Sequence, residues 1–110
     1  MKERSIEIVV TLDENNIPEK IVWRADDAGF SGYRPASSMS LAFWEQEREE
    51  LLSMELWTKD HSVEHMQRQI MESLFKLSDA CQRATGDHEM ARVINETAKS
   101  IRNMLGKGKE

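Results

Sequence analysis

Two histidines four residues apart, His61 and His65, stand beside Asp60 and Glu64 in the stretch LWTKDHSVEHM, Leu56 to Met66. On a helix such a pair shares one face, which is how paired histidines hold zinc. A catalytic zinc needs three protein ligands and an open position, and no third ligand follows at a suitable spacing. Asp60 and Glu64 have a simpler role, because acidic residues are favoured at a helix entry by the macrodipole. The stretch therefore reads as a joint between a strand and a helix. Asp60 or Ser62 caps the helix, His61 precedes it and His65 is solvated on the first turn. No metal ligand is assigned.

Cys81 and His88 invite a thiolate and base, but Cys81 falls on the apolar stripe of its helix, where a lone cysteine behaves as a small hydrophobe. Asp26 and Asp27 are adjacent carboxylates among glycines, which suits a turn and makes a poor calcium site. The chain lacks a phosphate-cradling glycine loop, a serine elbow and a Cys-x-x-Cys pair. No catalytic residue and no cofactor is assigned, and the chain is expected not to be an enzyme. A small metalloenzyme stands as the third-ranked class.

The elements that must position these residues follow from hydrophobic period. Ser5 to Leu12 alternates, with Ile6, Ile8, Val10 and Leu12 on one side. The turn DENNIPE leads to a second strand near Lys20 to Ala25, where Ile21, Trp23 and Ala25 face inward. Asp26 to Ser38 contains two glycines and a proline and reads as a crossing connection. Ser38 to Trp44 and Leu51 to Trp57 alternate again, separated by the charged turn EQEREE. After Trp57 the period changes to about 3.5, with Val63, Met66, Ile70, Leu74, Leu77 and Cys81 on one stripe, widened by Met71 and Phe75. ATGD supplies Gly86 for the left-handed position after that helix and Asp87 to cap the next. Met90, Ile94, Thr97, Ile101 and Leu105 mark the second helix.

The expected fold is α+β: a four-stranded antiparallel sheet of two hairpins, with two antiparallel helices packed on one face. One core is expected to hold Ile8, Trp23, Leu41, Phe43, Met54, Leu56, Ile70, Leu74, Leu77 and Ile94. The 110 residues suit a single domain over 1–105, with residues 106–110 as a frayed tail. One cysteine excludes an intrachain disulfide, and no segment approaches the roughly 18 unbroken apolar residues of a membrane span. A soluble, cytoplasmic chain without membrane insertion is expected. Its net charge of −5 repels phosphate backbones, so nucleic acid is not an expected partner.

Trp44 and Trp57 fall out of phase with the inward residues. Together with Val9, Val22 and Leu51 they are expected on the sheet face that two helices leave uncovered, where exposed aromatics mark interfaces. Two copies pairing through this face would form a homo-oligomer, with a dimer the simplest closed form.

VTLDENNIPEKIVW, LWTKD and ATGD, in this order and spacing, resemble the gliding-motility-associated GldC family of Bacteroidetes, and the resemblance spans nearly the whole chain. It implies a non-enzymatic accessory role in gliding motility, with a protein partner in the gliding machinery, and brings no catalytic residue with it. The family pattern does not depend on histidine at positions 61 and 65. Four antiparallel strands followed by two helices are also similar in architecture to the export chaperone SecB. That similarity implies a tetramer and, as the alternative function, a holdase or export adaptor that binds unfolded clients.

Overall fold

The computed structural model describes residues 2–107. The chain forms two compact units, one up to Ser62 and one from Val63 onward. The first unit contains β1 (Ile6–Leu12), β2 (Pro18–Ala25), β3 (Arg34–Ala36), β4 (Ser38–Glu45) and β5 (Glu50–Trp57); the second contains α1 (Val63–Thr85) and α2 (His88–Lys107). The α+β class expected from the sequence is the one observed. The strands, however, do not form one four-stranded sheet. They divide into a three-stranded antiparallel sheet, β1-β2-β3, and a two-stranded ribbon, β4-β5.

The cause of the division lies in the stretch expected to be a loop. Arg34 to Ala36 adds to the free edge of β2, with Ile21 opposite Ala36 and Trp23 opposite Arg34. Pro35 has no N–H to give a ladder, and it faces Val22 between those two pairs. One residue later the chain leaves this sheet. Ser37 belongs to neither strand, and from Ser38 the chain pairs with β5 in an uninterrupted register from Ser38–Trp57 to Glu45–Glu50. Arg34–Ala36, inside the expected connection, and the expected third strand from Ser38 are thus consecutive strands that bend at Ser37 into two different sheets, the usual way a chain makes a corner.

Thr58 fixes the corner. Its backbone N–H donates to the Ser37 carbonyl at 2.8 Å and its hydroxyl donates to the same oxygen at 3.1 Å, with the residue buried. Lys59 then binds the first hairpin. Its N–H donates to the Pro18 carbonyl at 3.3 Å, and its ammonium reaches Asp13 at 3.1 Å and Glu19 at 3.6 Å. The Asp13 carboxylate also accepts the N–H groups of Asn15 and Ile17, which closes the β1–β2 turn around Asn16 in the left-handed region at φ 62°. The deepest side chain among the described residues of the first unit is Ile21, 1% exposed, on β2, which among the described residues is the only strand with neighbours on both edges.

In the second unit the helices meet through small residues. Ser78, Ala91 and Ala98 are the buried positions, and the Ser78 hydroxyl donates to the Ala91 carbonyl at 2.7 Å. The turn behaves as ATGD requires. Gly86 sits at φ 70°, and the Asp87 carboxylate accepts the Met90 N–H at 3.0 Å as an N-cap. The helix continues through Gly106 and Lys107, where a frayed tail was expected, and the rest of that tail, 108–110, lies outside the described residues.

The expected core is corrected at four positions. Phe43, Met54, Ile70 and Leu77 are half or more exposed, whereas Ile8, Trp23, Leu41, Leu56, Leu74 and Ile94 are half-buried. The phase of the second helix also turns slightly, so that Ala91 and Ala98 are buried while Met90 and Thr97 are exposed.

Candidate interaction surface

The residues whose types suggested chemistry are dispersed into structural roles. His61 lies in the turn after β5, its N–H donating to the Thr58 carbonyl at 3.0 Å, and His65 is exposed on the first turn of α1. His65 lines a groove of the helical unit together with Glu64, Arg68, Met71, Arg102 and Met104. Among the described residues, no three His, Cys, Asp or Glu side chains come together as a metal site. The Cys81 sulfur lies 3.8 Å from the Thr85 hydroxyl and is half-buried, while His88 opens α2 on the surface.

Asp26 and Asp27 hold the N-terminal segment. Asp26 accepts the Ser5 N–H at 2.9 Å, and Asp27 pairs with Arg4. The connection that follows grips β2 from both faces. Phe30 meets the Trp23 ring edge-on at 5.2 Å and is covered by the Arg34 guanidinium at 4.3 Å. On the opposite face the Tyr33 hydroxyl donates to Glu7, which also accepts from Arg24 at 3.0 Å, and Arg24 lies 5.2 Å from the Tyr33 ring. The Tyr33 hydroxyl, more than any other group, lowers the Glu7 pKa, and Arg24 adds to the effect; the same bond raises the pKa of Tyr33. Asp13 is lowered chiefly by the Ile17 N–H, then by Asn15 and Lys59, and Lys59 is raised by Asp13. Each of these shifts comes from a contact that closes a turn or pins a loop.

The exposed apolar side chains of the first unit concentrate on the β4–β5 ribbon. Trp44 and Leu51 are direct cross-strand neighbours, and Trp57 lies on the same side of β5 as Leu51, with exposures of 67%, 62% and 54%. Val9 and Val22, expected on the same face, also pair directly, but in the β1–β2 ladder, with Val9 exposed and Val22 half-buried. The structure thus brings the five expected interface residues together as two groups, one in each sheet. The opposite face of the ribbon is apolar as well, with Phe43, Leu52 and Met54 exposed. Sequence reading assigned those three to the core or its face. Phe43-Trp44 and Leu51-Leu52 place large apolar residues in both phases of the strand, and this is the signal of a ribbon with two apolar faces.

The helical unit carries a smaller row: Val63, Ile70 and Leu77, spaced seven apart on α1, are all half or more exposed. Among the described residues no helix is long and apolar enough to cross a membrane.

The family model described as Gliding motility-associated protein GldC-like matches residues 18–107 of the chain. No curated protein and no solved structure matches it.

Proposed function

The chain belongs to the GldC-like family, and from that premise we propose that it serves bacterial gliding as a non-catalytic accessory that acts by binding proteins through the β4–β5 ribbon. The family match over residues 18–107 carries the motility part of this reading. The binding part rests on the ribbon. Large apolar side chains on both faces of a two-stranded ribbon lose most of the free energy that burial would give, roughly 1.5–3 kcal/mol for each one fully covered. A two-stranded ribbon is also marginal by itself. Covering it with protein recovers both terms. Trp44, Leu51 and Trp57 form the docking row for a component of the gliding machinery, with Val9 and Val22 as a second apolar pair, and self-association belongs to the same reading.

Two of the stretches that carry the family resemblance fit this reading. In LWTKD, Thr58 and Lys59 fix the corner and the first hairpin; ATGD turns and caps the helices. The work of these residues is architectural, in keeping with a protein whose product is a shaped surface. Deletion of the gene in a gliding host tests the reading: spreading should be lost and restored by the gene in trans. A deletion strain that glides at the parental speed would overturn it.

A further inference from the structure

The ribbon has two open edges as well as two apolar faces, and one edge carries a specific geometry. Antiparallel strands alternate between residues whose backbone groups point to the partner strand and residues whose groups point away. The Thr58 N–H donates to Ser37, across the same ladder that pairs Ser38 with Trp57, so the even-numbered residues of β5 turn their N–H and C=O toward β4. Leu51, Ser53, Glu55 and Trp57 therefore turn theirs outward. Among the described residues β5 pairs with β4 alone.

Natural edge strands are blunted by bulges, prolines, charged side chains, lysine above all, or shortness. The β1 edge shows such a device, a register shift between Thr11 and Leu12. β5 has no bulge, no proline and no lysine over its eight residues, and its charges are Glu50 and Glu55. Just past it the outward N–H of Lys59 donates to the Pro18 carbonyl, so the open length of the edge runs from Leu51 to Trp57. An edge of this length without a bulge, proline or lysine is a template for another strand.

We propose that β5 pairs antiparallel with β5 of a second copy about a twofold axis at Met54, joining two ribbons into one four-stranded sheet. The sequence of β5 is self-complementary in that register. Leu51 falls opposite Trp57, Leu52 opposite Leu56, Ser53 opposite Glu55, and Met54 opposite itself. Apolar meets apolar at every pair but one, and there a hydroxyl meets a carboxylate it can donate to. The outward-turned residues become the hydrogen-bonded pairs, giving about eight new backbone bonds, and Met54 falls at a non-hydrogen-bonded pair, as the alternation demands. The two Glu55 carboxylates lie on the diagonal, roughly 7–8 Å apart, where water and salt screen them. Shifting the register by two residues would place Leu51 opposite Glu55 and Glu50 opposite Leu56, burying apolar side chains against charge.

This inference rests on the ribbon being the binding element and names a second copy as the occupant of its edge. Its consequence for the docking row is direct. Leu51 of each copy meets Trp57 of the other, so each end of the joined sheet carries a Trp44–Leu51–Trp57 cluster built from both copies, with Ser53 and Glu55 at the centre between them.

Light scattering coupled to size exclusion, at tens of micromolar, should give twice the chain mass of 12.7 kDa. Ser53→Pro removes an outward N–H and leaves the β4 ladder intact, so it should give a monomer with unchanged far-ultraviolet circular dichroism. A second readout does not depend on that variant folding. In a Cys81→Ser background, Met54→Cys places two thiols across the axis with Cα atoms about 4.5 Å apart, within disulfide reach. Mild oxidation with diamide should convert it to a covalent dimer at least tenfold faster than Leu52→Cys, whose thiol would face Leu56. A wild-type monomer, a dimer that persists in folded Ser53→Pro, or equal crosslinking at positions 52 and 54 would each overturn strand pairing. None of these results bears on whether deletion of the gene stops gliding, so the two readings fail separately.

Discussion

Ile6 and Ile21 lie on the same face of the β1–β2 ladder by alternation, yet the structure gives them opposite fates, 72% and 1% exposed. Truncating each to alanine removes the same three carbons. At about 0.8 kcal/mol per buried methylene-sized group, Ile21→Ala forfeits about 2.4 kcal/mol of transfer free energy. The cavity left behind adds to this, because β1 and β3 hold β2 from both sides and limit collapse, so about 3–4 kcal/mol is expected. Ile6 has less than a third of its surface covered, and the same sum scales to about 0.7 kcal/mol for Ile6→Ala. Ile21→Val, one carbon lighter, should cost about 1 kcal/mol. Urea unfolding followed by tryptophan fluorescence reads all three as shifts in midpoint at constant slope. Equal losses for Ile6→Ala and Ile21→Ala would mean that the face is uniformly covered and that the three-stranded arrangement is wrong. A loss under about 1 kcal/mol for Ile21→Ala would remove this residue from the core.

The helical seam is predicted to resist enlargement: Ala98→Leu, at a position with no exposure, should cost about 1–3 kcal/mol and lower the thermal midpoint, whereas Met104→Leu, largely exposed, should leave it unchanged. Asp13 gives a pH signature. Its folded pKa lies below the ordinary 3.8, so its contribution is fully present above that value and is lost as pH falls through the lowered folded pKa. Asp13→Asn should therefore be less stable than wild type at neutral pH, with the gap closing on acidification below the ordinary aspartate range; a gap that stays constant would show that the Asp13 charge contributes nothing. Zinc at one equivalent should leave the thermal midpoint of wild type unchanged and equal to that of His65→Ala, and a zinc-dependent rise abolished by that substitution would establish a site.

Much of the fold was legible because strong periodicity carried it. The four long strands, the shift to a helical period after Trp57 and the Gly86–Asp87 turn fall where alternation and cap chemistry place them. β3 escaped because three residues, one of them proline, show no alternation, and its pairing depends on a free β2 edge that only the tertiary structure supplies. The corner escaped for a related reason: a single residue, Ser37, interrupts an otherwise continuous strand, and its partner Thr58 lies 21 positions away. Large side chains dominate the apparent phase of α1 and turn Ile70 and Leu77 toward the expected core, although both are half or more exposed. The seam uses Ser78, Ala91 and Ala98, whose value is close approach of the backbones, a property that hydrophobic counting does not weigh. The candidate surface was legible in part. Trp44, Leu51 and Trp57 share a ladder face as alternation requires, while Val9 and Val22 stand in the other sheet because the chain turns at Ser37.

The most direct test of the ribbon as the working surface is gliding itself, measured as cell speed and colony spreading in a host whose chromosomal copy carries Trp44→Glu. Trp44 is largely exposed, so the variant should fold and accumulate to the wild-type level on an immunoblot. Loss of spreading at normal protein level is the predicted result. Wild-type spreading from a Trp44→Glu, Leu51→Glu double variant at normal level would contradict it.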